Sequence, residues 1–281
     1  MRLTGERPMR DVTPDSLLAF HDAGYREVVE RLGAGIVLDV GCGVGEQTAR
    51  LTGRERTVIG ADYDAATAVG AGAEWGRGGR RGSDVRFTAM DGARLGLRDR
   101  SVDWVCSSHI IEHFVAPEAH VAELARVSRS GGTAFVITPN APADFENPFH
   151  VYLFEAKQLE SMLLLFFEDV EVFGLEGDDE IKGDFAQRRR SGERILKLDR
   201  FELRKKIPRR AYVWSYTRAL PVVYRLLGSS VNGVGSGLDA SHFSLTPAIS
   251  DATPGLFAVA RSPRASVAAL PRGEPMAGAA E

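Results

Sequence analysis

Apolar positions between residues 14 and 32 recur at helical spacing. Leu17, Leu18, Tyr25, Val28, Val29 and Leu32 fall near one face, which predicts an amphipathic helix. The pattern then changes. Short, nearly continuous apolar runs appear at 36–40, 58–62, 85–91, 102–108 and 131–140, separated by segments long enough for helices. Runs of that kind are what strands covered on both faces look like. A helix is expected over 117–129, opened by Pro117 and stopped by Gly131-Gly132. A sixth strand is expected over 169–174 and a seventh over 255–260. Strands alternating with helices argue for an α/β fold with a seven-stranded, mostly parallel sheet and helices on both faces.

The interval between the last two strands holds roughly eighty residues where a short hairpin would suffice. It predicts a basic, largely helical insertion over 177–252, with a loop rich in Gly, Ser and Asn from 228 to 241. Residues 263–281 carry Pro, Ala and Gly without periodicity, and a disordered tail is expected there. The resulting division is an N-terminal helix over 1–35, a core over 36–176 and 253–262, the insertion and the tail.

Charge sharpens this picture. The net charge of the 281-residue chain is −3, yet residues 186–227 contain thirteen Lys or Arg against Glu193, Asp199 and Glu202. That segment is +10, which leaves −13 for the rest, so a separate surface with its own partner is implied. Cys42 and Cys106 have neither metal nor disulfide spacing. Residues 1–11 are polar, and the longest apolar run, 162–167, is too short to span a bilayer. A cytoplasmic protein, peripheral to a membrane at most, is the expectation.

The most informative chemistry is the first strand running into Gly41-x-Gly43-x-Gly45, with a helix opening at Glu46. A strand, a glycine turn and a helix form the entry of a nucleotide-type cofactor site. The third glycine of the dinucleotide pattern would fall at position 46, which is Glu46. A carboxylate in the first helical turn repels a pyrophosphate. S-adenosylmethionine (SAM) has no phosphate and carries a cationic amino group and a sulfonium. The acidic turn therefore favours SAM over NAD.

Five segments in register carry a resemblance. They are Asp39-x-Gly41-x-Gly43-x-Gly45, the acidic end of the second strand at Asp62, the third strand to Asp91, the fourth strand with Ile111-Glu-His-Phe114, and Gly131-Gly to Asn140. Together they resemble the class I SAM-dependent methyltransferases, in particular the small-molecule branch that includes ubiquinone and menaquinone biosynthesis enzymes. The run Asn147-Pro-Phe-His-Val151 is similar to a subset associated with carbohydrate and cell-envelope functions. The resemblance implies a Rossmann-like fold, with the leading helix as a lid over the cofactor.

On this reading Asp39 contacts the methionine amino group, directly or through water. Gly41, Cys42, Gly43 and Gly45 form the turn. Asp62 takes the ribose hydroxyls and Tyr63 packs on the adenine edge. Met90, Asp91 and Gly92 surround the adenine, while Ser108, His109 and Ile111 flank the methionine portion. For the general base the order is His150, then His113, then His109, because a weakly nucleophilic hydroxyl needs a base with pKa near 7. His21 and His242 are candidate acceptor-lid residues. No metal is implied.

The acceptor expected is a hydroxyl on a small molecule or saccharide. The fourth strand is followed by Ser108-His109-Ile110-Ile111 rather than the Asp/Asn-Pro-Pro-aromatic run of nucleic-acid amino-methyltransferases. Only Glu112 stands where an arginine methyltransferase would carry two glutamates. For the basic insertion the readings are a solvated face, an anionic membrane surface, or contact with a phosphate-bearing substrate; nucleic acid is less favoured, for want of a recognised module. An RNA or protein methyltransferase and a non-catalytic SAM-binding protein remain the alternative functions.

Overall fold

The computed structural model describes residues 13–144, 149–196 and 236–265. Helix α1 (Asp15–Arg31) leads into β1 (Gly35–Val40), α2 (Glu46–Arg50), β2 (Arg56–Asp62), α3 (Ala65–Trp75), β3 (Val85–Ala89) and β4 (Val102–Ser108). A 3-10 turn (Ile111–His113), α4 (Pro117–Val127), β5 (Ser128–Pro139), α5 (Ala156–Leu164), β6 (Phe167–Gly177) and α6 (Asp179–Leu196) follow. A second 3-10 turn (Ala240–His242), β7 (Phe243–Thr246) and β8 (Gly255–Pro263) complete the described order.

The sheet runs β3-β2-β1-β4-β5-β8-β6-β7. Strands β1 to β5 pair in parallel, and β8 enters antiparallel between β5 and β6. Both faces are covered. Val37 packs with Tyr25, Val28, Leu51 and Phe135 on one side, and its neighbour Leu38 packs with Leu124, Leu159 and Leu163 on the other. Adjacent strand residues point to opposite faces, so burial of both requires the unbroken apolar runs seen in the sequence.

The fold is Rossmann-like α/β with a mostly parallel sheet of eight strands, where seven were expected. The additional strand, β7, lies in the interval expected to be largely helical. Its four residues pair with the end of β6, Leu175 opposite Leu245 and Gly177 opposite Phe243, and close the sheet edge. Phe-Ser-Leu-Thr is too short for periodicity alone to separate it from a loop. The insertion does open with a helix, α6, but residues 197–235 lie outside the described residues. Most of the basic and aromatic run falls there, together with most of the expected glycine-rich loop.

Smaller differences have local causes. Helix α4 ends at Val127 rather than 129 because Ser128 already pairs with Val102. Strand β6 is almost twice the expected span, its outer half reading as polar because it faces solvent at Glu168 and Glu171. Strand β8 extends through Pro263, where the tail was expected to start; residues 266–281 lie outside the described residues. Both cysteines are buried, and neither forms a disulfide among the described residues. Among the described residues no helix is long and apolar enough to cross a membrane.

Candidate functional site

A cleft opens at the carboxyl ends of β1, β2 and β4, where open α/β sheets collect ligands. Its interior volume is about 170 Å³. The turn after β1 supplies Gly41, Cys42, Gly43 and Val44. Gly41 has φ +80°, and a Cβ there would meet Ile110 at 2.8 Å. Gly45, at φ +84°, lets α2 start against the sheet, since a Cβ would stand 2.7 Å from Phe87 and 2.9 Å from Ala71. These positions need glycine for both backbone and packing reasons.

Asp62 ends β2 and ties this turn down. Its Oδ2 accepts from the Gly43 N–H at 3.0 Å and its Oδ1 from the Asp64 N–H at 3.0 Å. Each carboxylate oxygen offers a second lone pair, and Asp62 also borders the cleft.

Asp39 stands beneath the turn and is not part of the cleft wall. It is fully buried, with Oδ1 and Oδ2 at 3.1 and 3.2 Å from the Tyr25 hydroxyl and Oδ2 accepting from Thr48 Oγ1 at 2.6 Å. Burial pushes its pKa up to about 6, against the pull of the Thr48 and Tyr25 hydrogen bonds. The same burial and the neighbouring Asp39 charge raise the Tyr25 pKa. Asp91 is half-buried, with Oδ1 accepting from the Ala93 N–H at 2.9 Å; Met90 and Gly92 line the cleft beside it. Tyr63 lies exposed at the edge.

Helix α1 forms one side of the cleft with Leu18, His21, Asp22 and Tyr25. The Gln47 amide donates to Asp22, linking α2 to α1. Elements of the insertion hold α1 in turn. Ser16 donates to Asp184 of α6, and Arg26 donates to the Ala240 and Phe243 carbonyls. Gly255 also lies under α1, where a Cβ would stand 2.3 Å from Phe20.

The far side of the cleft is histidine-rich. His109 sits at φ +53° just past β4, fixed by its N–H to the Ile137 carbonyl. Its ring lies 4.0 Å from that of His21 and 4.9 Å from that of Phe20. Burial first, and then the adjacent His109, drive the His21 pKa down. Next to them Glu112 is fully buried. Burial raises its pKa, but His109 (Nδ1 3.6 Å from Oε1), His113 and His150 outweigh this and hold it at about 2. His109 and His113 line the cleft; His150 stands behind, its ring 5.4 Å from that of His113. Among the described residues, three buried polar atoms here have no hydrogen-bond partner, Ser108 Oγ, His109 Nε2 and Glu112 Oε1. Buried polar groups of this kind call for a partner or a chemical role.

The sequence-expected residues Gly41, Cys42, Gly43, Asp62, Tyr63, Met90, Gly92, Ser108, His109 and His113 thus share one cleft, and His21 joins them. Asp39, Gly45, Asp91, Ile111 and His150 lie around it rather than on its wall. His242 is remote and pairs with Asp178 at 2.8 Å. Sequence reasoning missed Tyr25, Gln47 and His120. His120 is buried, with Nδ1 donating to the Gly92 carbonyl at 2.9 Å and Nε2 2.8 Å from Ser107 Oγ, so it braces the turn that carries Gly92. Its only sequence signal was a histidine on the apolar face of α4.

Comparison with known proteins agrees with this geometry. Residues 38–136 match the family profile described as a methyltransferase domain. A probable S-adenosylmethionine-dependent methyltransferase of Mycolicibacterium smegmatis is 34% identical over 168 residues, covering 57% of this chain and 63% of the relative. A demethylmenaquinone methyltransferase of Beutenbergia cavernae is 33% identical over 149 residues, 51% of this chain and 59% of that protein. Among solved structures, a SAM-dependent methyltransferase of Thermotoga maritima, described as a possible histamine N-methyltransferase, superposes with a TM-score of 0.54 at 13% identity. It covers 88% of this chain and 91% of its own, a likeness of fold. Over residues 38–136 the chain is thus similar to methyltransferase domains, and the curated relatives it matches are named as SAM-dependent or as methyltransferases. It spans about six tenths of the length of the curated relatives it matches.

Proposed function

We propose that this protein is a SAM-dependent methyltransferase acting on a hydroxyl of a small molecule or saccharide. The observation that carries the reading is the two-ended chemistry of the cleft. Asp62 lies at the end of β2, on one side of the glycine turn. The unpartnered Ser108 Oγ and His109 Nε2 lie at the end of β4, on the other. The residues fit SAM. A turn without Cβ atoms admits close backbone approach, Asp62 has lone pairs to accept ribose hydroxyls, and Glu46 suits a cation better than a phosphate.

When bound, SAM supplies an electrophilic methyl on a sulfonium. Asp62 takes the ribose, with Tyr63 at the edge of the base. Met90 and Gly92 face the adenine and Asp91 accepts from its amino group. Asp39 acts through Tyr25, Thr48 and the turn, keeping negative charge close to the methionine amino group. Helix α1 serves as a lid, with Leu18, His21 and Tyr25 excluding water. The wall imidazoles His109 and His113 accept the acceptor's proton, with His150 behind them. Rate enhancement comes mainly from alignment of oxygen, methyl and sulfur. The demethylmenaquinone enzyme among the relatives supports a small acceptor.

Calorimetric titration with SAM, S-adenosylhomocysteine and NAD tests the cofactor site. Micromolar binding of the first two and none of NAD is expected. Preference for NAD, or no SAM binding, would remove the basis of the proposal. A screen of sugar and phenolic acceptors in the presence of SAM then tests the hydroxyl assignment.

A further inference from the structure

Behind the cleft wall, Glu112, His113 and His150 each bring one ligand atom to a common point, all within 4.8 Å of one another. What holds them is as informative as their proximity. His113 Nδ1 lies 3.0 Å from the Phe149 carbonyl, which can only accept, so Nδ1 carries the proton and Nε2 keeps its lone pair. His150 Nδ1 lies 3.0 Å from Asp144 Oδ2, a carboxylate that likewise accepts. Glu112 Oε2 accepts from Thr138 Oγ1 at 3.0 Å, while Oε1 is buried with no hydrogen-bond partner.

In all three side chains one atom is held by a partner outside the group. Imidazoles oriented by a carbonyl and by a carboxylate are the usual second layer of a metal centre. The Nδ1 protons of His113 and His150 go to Phe149 and Asp144, and His109 Nδ1 faces Oε1 at 3.6 Å.

We propose that Glu112, His113 and His150 bind a divalent first-row transition cation. Two imidazole nitrogens and one carboxylate oxygen form the donor set of catalytic zinc sites and of non-haem iron(II) sites. Mg²⁺ and Ca²⁺ prefer oxygen ligands throughout. Three protein ligands leave coordination positions open, and His113 lines the cleft, so an acceptor oxygen has access to them. Resting on the methyltransferase reading above, the cation has a defined use. A hydroxyl oxygen bound to it ionises more easily. The proton passes to His109, the O–CH₃ bond forms, and the S–CH₃ bond breaks with its electron pair going to sulfur. No other reactant is required. His113 and His150 are then ligands, which leaves His109 as the base.

The test uses the full chain, stripped with chelator and titrated with Co²⁺ as a spectroscopic probe and with Zn²⁺ by calorimetry. One equivalent of each is expected to bind, with visible Co²⁺ bands. His113→Ala and His150→Ala should weaken binding by more than the roughly tenfold to hundredfold that loss of a mere outer partner costs, because each removes one ligand in three. His242→Ala, remote from the cluster, should bind as wild type. Because Glu112→Gln can fail to fold, His150→Ala is the principal variant, and retained SAM binding by it shows an intact cofactor site. Binding that survives both histidine substitutions, no saturable binding at one equivalent, or a response to Mg²⁺ alone would overturn the proposal. Metal binding without SAM binding would instead sink the methyltransferase reading and leave the cation site standing. SAM binding without metal would do the reverse.

Discussion

The Tyr25 hydroxyl faces both oxygens of Asp39, at 3.1 and 3.2 Å, across a fully buried contact between the leading helix and the first strand. The carboxylate beneath the glycine turn therefore depends on a residue from outside the sheet. Tyr25→Phe leaves Asp39 with Thr48 and the Cys106 thiol. A loss on the order of 1–3 kcal/mol is expected, read as a lower midpoint in chemical denaturation, because a buried acceptor loses its donor. SAM affinity should fall with it. An unchanged midpoint would show that Asp39 is satisfied without Tyr25.

Asp62→Ala removes the acceptor for the Gly43 and Asp64 N–H groups as well as the proposed ribose contact. SAM affinity should fall about tenfold or more, which is roughly 1.4 kcal/mol or more. Wild-type affinity in calorimetry would rule out the ribose role.

Gly45→Ala places a methyl group against Phe87 and Ala71 at a backbone with φ +84°. Strain and overpacking together predict a loss of about 2 kcal/mol or more. The thermal midpoint should drop even without ligand. A neutral result would mean that α2 can shift freely.

Two buried groups give opposite pH signatures. Burial holds the His120 pKa at about 4, against 6.5 for the ordinary imidazole, so the unfolded chain binds more protons between those values. Its contribution is present above pH 6.5 and is lost as pH falls toward 4, on the order of 3 kcal/mol in all. Asp39, raised from 3.8 to about 6, behaves in the opposite sense: the folded state binds the extra proton, and stability is lost as pH rises through that interval. Stability of wild type minus His120→Gln should therefore shrink as pH falls from 6.5 to 4. Wild type minus Asp39→Asn should shrink as pH rises from 3.8 to 6. Parallel curves in either series would refute the corresponding shift.

The core strands and the glycine turn were legible in the sequence because their determinants are local. Both-face burial writes itself as unbroken apolar runs, and Gly41, Gly43 and Gly45 announce positive φ directly. What the sequence hid depends on contacts far along the chain. Tyr25 reads as one more apolar position on an amphipathic helix until β1 is packed beside it. Glu112 and His150 are separated along the chain by α4 and β5, and their shared point with His113 exists only once Val151 and Tyr152 donate to the Glu112 carbonyl. Strand β7 lacked the length to show a period and is defined by the end of β6 that it covers. Asp39 was expected at the ligand; its depth below the turn could be seen only with Thr48 and Tyr25 in place.

Leu175 on β6 sits opposite Gly255 on β8, so the insertion leaves and re-enters the sheet at adjacent points. A detour anchored in this way can grow or shrink with little penalty, about 0.6 kcal/mol for each doubling of a flexible loop. The arrangement separates two histories. Segments between these anchors can change in length, while the cleft on β1, β2 and β4 keeps its register. Helix α1 is the exception, since Ser16 and Arg26 bind it to both worlds. An exchanged insertion would have to bring its own counterparts of Asp184 and of the Ala240 and Phe243 carbonyls, and that requirement sets how freely such chains can be recombined.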